Sequence, residues 1–279
     1  MAAVTADSMP FGADMIGLVF HPYGVYGMMD DGKYKKLVGD RWGQATGALA
    51  MEDGSVLALH SMGMYKLSGQ SLASQKLGSD FGWDSSQAVV RSPAYPGSIF
   101  SFHLMGVYKI NIEDGSYTQV SSNGWSLVSA GFFVPDEPEF AYLFHDMGLY
   151  KVALADGKYE KIGKDGWSMA RGAVYLPEEK AVCVLHGIAT YKVQLADGAC
   201  SKLTGSAWAC VKGIMSTKDP KEILAFHDWG LFKVNTQDGS YKTLSREGWS
   251  QVSAVCAFGP MDGYISIKPH VDHKQHGAH

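Results

Sequence analysis

The chain of 279 residues carries 24 basic against 28 acidic side chains, a formal net charge of −4, with 46% hydrophobic and 12% aromatic residues. That hydrophobic fraction excludes wholesale disorder, and the mild acidity argues against a general nucleic-acid binder, which needs a cationic face to replace phosphate counterions. No apolar run approaches the roughly 20 residues that span a bilayer, and no basic segment leads into a continuous apolar core at the start, so cytoplasmic location or leaderless export is expected.

In chain order, Ile16–His21 is a short apolar strand whose histidine heads the first of six phrases of the form His-x-x-Gly-x-Tyr-Lys. These histidines are His21, His60, His103, His145, His186 and His227. Gly27 replaces the Lys in the first phrase, Ala189 the Gly in the fifth and Phe232 the Tyr in the sixth. Asp31-Gly32-Lys33-Tyr34 begins a second series, which recurs at Asp114, Asp156 and Asp238, keeps only Asp197-Gly198 in the fifth copy and is lost at Ser68-Gly69-Gln70-Ser71. Trp42 begins a third, followed by Trp83, Trp125, Trp167, Trp208 and Trp249 at spacings of 41 or 42 residues, with Trp229 off the ladder.

The phrases translate into strands. Phe140–His145 is apolar, Asp146-Met147-Gly148 reverses it, Leu149–Leu154 returns, and Asp156-Gly157 predicts a tight hairpin with φ > 0 at both central positions. Tyr159–Ile162 is the next strand, and Gly166-Trp167 opens another. Four short antiparallel strands at a period of about 40–45 residues are the signature of a β-propeller blade. Six copies predict an all-β, six-bladed propeller over residues 1–268, with a flexible His-rich tail over 269–279. The innermost strand A follows the Trp, B ends at the His, C carries Gly-x-Tyr-Lys and D follows Asp-Gly. Val252–Phe258 is then the last A strand. Either Ile16–His21 or Gly263–Lys268 could pair with it to close the ring.

The start of A and the end of B lie at one end of a blade. Trp42/His60, Trp83/His103, Trp125/His145, Trp167/His186, Trp208/His227 and Trp249/His21, with their tyrosines, are therefore expected to ring one mouth. Aromatic plates beside polar donors suit a sugar or small ring. A Trp packed between blades and a His bridging turn to strand would leave the same ladder. A single ion held by all six histidines is excluded, because B strands stand one strand spacing outside the axis.

The fourth residue after each Trp is polar: Thr46, Gln87, Ser129, Arg171, Lys212 and Ser253. These are expected to face the channel, where Arg171 and Lys212 could attract an anion. His270, His273, His276 and His279 of the tail could form a weak metal site. Acidic residues at Asp136, Glu137, Glu139, Glu178 and Glu179 read as loop tips on the opposite face. Cys183, Cys200, Cys210 and Cys256 form no C-x-x-C pair and read as reduced thiols. No nucleophile elbow, phosphate loop or zinc motif is present, and no cofactor is expected.

The Gly-Trp and Leu-Tyr-Lys words, as in Gly248-Trp249 and Gly148-Leu149-Tyr150-Lys151, resemble the lectin-type propellers of the tachylectin and tectonin group. That resemblance implies multivalent recognition of glycans. Two other readings stay open. One is an enzyme acting on a small molecule at the channel mouth, using the pattern-breaking Arg171, Lys212, Asp228 and Trp229. The other is a protein-interaction scaffold.

Overall fold

The computed structural model describes residues 14–39, 41–79, 82–164 and 166–258, and the backbone of 266–267. Alternating apolar residues and positive-φ glycines at the turns make six four-stranded antiparallel sheets, arranged as the blades of a propeller. Blade 1 consists of Ala254–Ala257, Met15–His21, Gly24–Met29 and Tyr34–Val38, in the order A to D from the axis. Blade 2 runs Ala45–Ala50, Val56–His60, Gly63–Leu67 and Ser74–Leu77. Blade 3 runs Ser86–Arg91, Ser98–His103, Gly106–Asn111 and Tyr117–Ser121. Blade 4 runs Val128–Phe132, Phe140–His145, Gly148–Ala153 and Tyr159–Lys161. Blade 5 runs Ala170–Leu176, Ala181–His186, Ala189–Gln194 and Cys200–Thr204. Blade 6 runs Val211–Ser216, Glu222–His227, Gly230–Asn235 and Tyr241–Ser245. Among the described residues no helix is long and apolar enough to cross a membrane.

The ring closes in blade 1, where Leu18 stands opposite Cys256 and Phe20 opposite Ala254. Ile16–His21 thus takes the last A strand. Ser266–Ile267, from the competing segment, instead adds to the inner edge of blade 3, opposite Val89 and Ala88. Its backbone also neighbours the A strands of blades 1, 2 and 4, which places it at the axis. The rest of Gly263–Lys268 and the tail histidines His270, His273, His276 and His279 lie outside the described residues.

The hydrophobic interior is divided into six clusters, one at each seam between neighbouring blades, and each holds one ladder tryptophan. The small residue after the bulged position of strand A reflects crowding at these seams. A Cβ on Gly172 would lie 2.6 Å from Ile214, and one on Gly213 would lie 2.6 Å from Val255, both on the next A strand.

The Asp-Gly turns differ from the tight hairpin expected. Only the glycine takes a positive φ, as at Gly115 (+71°). Asp114 instead accepts the Ser116 N–H at 2.9 Å, and its counterparts Asp31, Asp156, Asp197 and Asp238 do likewise. The glycine is required twice over, because a Cβ on Gly115 would sit 2.7 Å from the Leu77 carbonyl carbon at the end of the preceding blade's D strand. Blade 2 keeps the same loop without the motif: Leu72, at φ +58°, stands where Gly115 stands in blade 3, and its N–H donates to the Ser68 carbonyl.

Candidate functional site

The B–C turns and D–A loops meet on one face, as the Trp-to-His spacing requires. In blades 2 to 5 the structure brings each blade's Trp, His and Tyr together. Trp42 meets His60 and Tyr65 edge-on at ring centroids of 6.2 and 5.8 Å, and Trp83, Trp125 and Trp167 repeat the arrangement. Trp208 packs on Phe232 and Tyr241, and Trp249 on Tyr26 and Tyr34 of blade 1. The other side of the indole meets the preceding blade, as in Phe20–Trp42 and Phe144–Trp167. All six ladder indoles lie inside the seams, 2–7% exposed.

Each histidine is a strut. In every blade its Nδ1 accepts the backbone N–H two residues on, from Tyr23, Met62, Met105, Met147, Ile188 or Trp229, at 3.1–3.4 Å. The acceptor role of Nδ1 puts the proton on Nε2, which in His60 and His186 donates to the carbonyls of Arg41 and Gly166 in the D–A loop. Burial holds the imidazoles of His21, His60, His145, His186 and His227 below their ordinary value of 6.5, which favours this neutral tautomer. The His carbonyl in turn accepts the N–H of the next blade's Trp in His60/Trp83, His103/Trp125, His186/Trp208 and His227/Trp249.

The polar position four residues after each Trp is a β-bulge in blades 2 to 6, where one extra residue breaks the A–B register. A bulge takes its residue out of the apolar alternation and re-aims the side chain. Two hydroxyls use this to latch onto the next blade, Thr46 donating to the Trp83 carbonyl at 2.8 Å and Ser129 to that of Trp167 at 2.5 Å, and Ser253, just before the A strand of blade 1, makes the same bond to the Trp42 carbonyl at 2.7 Å. Arg171 donates through Nε to the Ala209 carbonyl at 3.0 Å and through Nη1 to those of Ser168 and Ala170. Gln87 donates to Ser85, and Lys212 lies 3.5 Å from Asp228.

What projects from this face is the second residue after each histidine. Tyr23, Met62, Met105, Met147, Ile188 and Trp229 are 52–73% exposed, although each is large and apolar. The sequence reading passed over this position because its identity varies. Its signal was a property, bulky and apolar in all six copies. Tyr23 and Trp229 belong to neighbouring blades across the ring closure, and each ring lies 5.0 Å from its histidine.

The acidic residues Asp136, Glu137, Glu139, Glu178 and Glu179 lie on the opposite face, in the A–B hairpins. A cleft of about 180 Å³ there is lined by Glu52, Asp53, Lys66 and Arg91 among others. Its charges pair among themselves, Lys66 with Asp53 at 2.8 Å and Arg91 with Glu52. The four cysteines are free thiols, with Cys183 buried and its thiol pushed up to about 12 by desolvation.

No protein-family model and no curated relative matches the chain. Solved structures share the fold. A chain from a nidogen/laminin complex has a TM-score of 0.65 at 11% identity, covering 85% of this chain and 95% of that one. Selenomethionine-substituted virginiamycin B lyase from Staphylococcus aureus has a TM-score of 0.56 at 10% identity, covering 92% and 96%. The extracellular domain of a putative hybrid two component system from B. thetaiotaomicron has a TM-score of 0.56 at 12% identity, covering 94% of this chain and 39% of that one. At these identities the likeness is one of fold, and propellers host unrelated functions. The chain is a six-bladed β-propeller.

Proposed function

We propose that the protein is a multivalent carbohydrate-binding protein that works through the face of its B–C turns. The ladder tryptophans and histidines hold the seams and shape the turns, and the exposed tips meet the ligand. The observation that carries this reading is the pair Trp229 and Tyr23, 73% and 59% exposed on neighbouring blades, each presenting an aromatic plate beside a histidine. Such plates suit the apolar face of a sugar ring, while loop carbonyls and amides meet its hydroxyls. Several weak stations on one partner raise avidity without new contacts. Chemistry at the channel mouth has less support, because Arg171 is bonded to three carbonyls and Lys212 is paired with Asp228.

The test is a glycan array probed with the native protein, with Tyr23→Ala and Trp229→Ala, and with Trp125→Ala as a framework control checked for folding. Binding to a defined sugar class, lost in both tip variants while their melting is unchanged, is expected. An array on which the native protein is silent, or on which both tip variants bind as well as native, would overturn the reading.

A further inference from the structure

The cleft of about 180 Å³ on the A–B face lies between blades 2 and 3 and has room for a molecule of amino-acid size. Its apolar side is the buried Leu57, with Pro96 and with Met51 and Ile112, which pack against the core of that seam. Five charged residues line the rest: the cations Lys66 and Arg91 and the carboxylates Glu52, Asp53 and Glu113.

The two ion pairs differ in kind. Lys66–Asp53 belongs to the framework, because the C-strand lysine also pairs with a carboxylate of its own A–B hairpin in blades 4 and 5, as Lys151–Glu137 and Lys192–Glu179. Asp53 is held further by the N–H and hydroxyl of Ser55. Arg91 belongs to no such series. The residue eight places after the ladder tryptophan is Ala50, Phe133, Tyr175, Ser216 or Ala257 in the other blades. The Arg91 side chain is only 19% exposed, yet it pairs with Glu52 of the neighbouring blade, which is 77% exposed. Its bond to the Ala50 carbonyl is long, at 3.5 Å. Burying a guanidinium costs desolvation, and a carboxylate so open to solvent offsets little of it. Glu113 is exposed and makes no ion pair among the described residues.

We propose that this cleft binds a small aliphatic zwitterion, a free amino acid. Arg91 takes the ligand carboxylate in its guanidinium fork, Glu113 accepts from the ammonium, and the aliphatic side chain lies on Leu57, Met51 and Ile112. Glu52, on its exposed side chain, gives way to the ligand carboxylate and turns into solvent. Two cations against three carboxylates make the cleft slightly negative, so a plain anion is repelled and a plain amine leaves Arg91 unused. A zwitterion meets both signs and adds no net charge. The inference goes beyond the carbohydrate reading, using the opposite face and none of the tips.

Equilibrium dialysis of the native protein against labelled L-leucine tests it. The competitors are 4-methylpentanoate, which lacks the ammonium, and leucinamide, which lacks the carboxylate. L-Leucine is expected to bind, with leucinamide at least roughly tenfold weaker and 4-methylpentanoate weaker by a few-fold. Arg91→Gln is expected to lower the affinity for L-leucine roughly tenfold or more. Glu52→Gln removes the competing carboxylate and is expected to raise it, by up to roughly fivefold. Lys221→Gln, in the A–B hairpin of blade 6, leaves it unchanged. Native protein that does not bind L-leucine overturns the proposal. So does an Arg91→Gln protein that melts like native and binds as well, a Glu52→Gln protein that binds more weakly, or either analogue competing as tightly as L-leucine itself. Silence on a glycan array leaves it standing, and silence towards L-leucine leaves the carbohydrate reading standing.

Discussion

Exchanging Val107 for threonine should give the buried Trp125 indole an acceptor that it now lacks. In the seam between blades 5 and 6, Trp208 Nε1 donates to Thr190 Oγ1 at 2.9 Å, with both groups buried. In the seam between blades 3 and 4, Trp125 Nε1 is buried without a partner. Val107 holds in blade 3 the register position that Thr190 holds in blade 5, directly after the B–C turn. Valine and threonine have nearly the same shape, so the exchange adds a hydroxyl without opening a cavity. One such bond contributes about 0.5–1.5 kcal/mol net, and for a chain of this size each kcal/mol moves Tm by about 2–4 °C. Val107→Thr is therefore expected to raise Tm by about 1–6 °C in a calorimetric melt. The mirror change, Thr190→Val, orphans Trp208 Nε1 at a cost of about 1–3 kcal/mol and lowers Tm by about 2–12 °C. A Val107→Thr protein that melts lower than native, or a harmless Thr190→Val, would refute the assignment of these tryptophans to seam-holding hydrogen bonds.

Three further outcomes check the same account. Trp83→Ala empties a site that is 2% exposed and should cost about 3–5 kcal/mol, whereas Trp229→Ala, at 73% exposed, should stay within about 0.5 kcal/mol; urea titrations that rank them the other way contradict it. Five ladder histidines have their folded pKa pushed below 6.5 by burial, so their contribution is complete above about 6.5 and is lost as pH falls through the depressed values; Tm measured from neutral down to about pH 5 should decline, and a flat profile would show that the imidazoles are not held neutral. Lys233, 8% exposed, bridges Asp30 of blade 1 at 3.1 Å and Glu222 of blade 6 at 2.9 Å across the closing seam; Lys233→Ala should cost about 1–3 kcal/mol by leaving two carboxylates facing each other, and an unchanged urea midpoint would show that the seam does not need it.

The fold was legible because closure repeats its needs. Every seam needs an indole, every B–C turn a strut and every crowded A strand a small residue, so Trp, His and Gly or Ala recur at fixed spacing. Ring closure was not legible, because Ile16–His21 and Gly263–Lys268 are both short apolar strands and only packing distinguishes them. That the hydroxyls of Thr46, Ser129 and Ser253 bond a carbonyl of the next blade was not legible, because a polar residue in an apolar strand says nothing of the acceptor it meets or of the bulges at Thr46 and Ser129. Leu72 shows the reverse: the Asp-Gly word vanished while the loop survived, the backbone hydrogen bonds from Ser68 and Leu72 holding the leucine left-handed. The exposed tips were missed because repetition was sought in residue identity, whereas the surface repeats only size and apolarity.

The central claim divides the face into a buried ladder and exposed tips, and mild oxidation of the native protein followed by peptide mass spectrometry tests it most directly. Met62, Met105, Met147 and Trp229 should be modified first. Met28, Met64 and Met215, each at most 1% exposed, and the six ladder tryptophans should remain protected until the protein unfolds. Early oxidation of Trp42, Trp125 or Trp167 in the folded state would put the indoles on the surface and contradict the account.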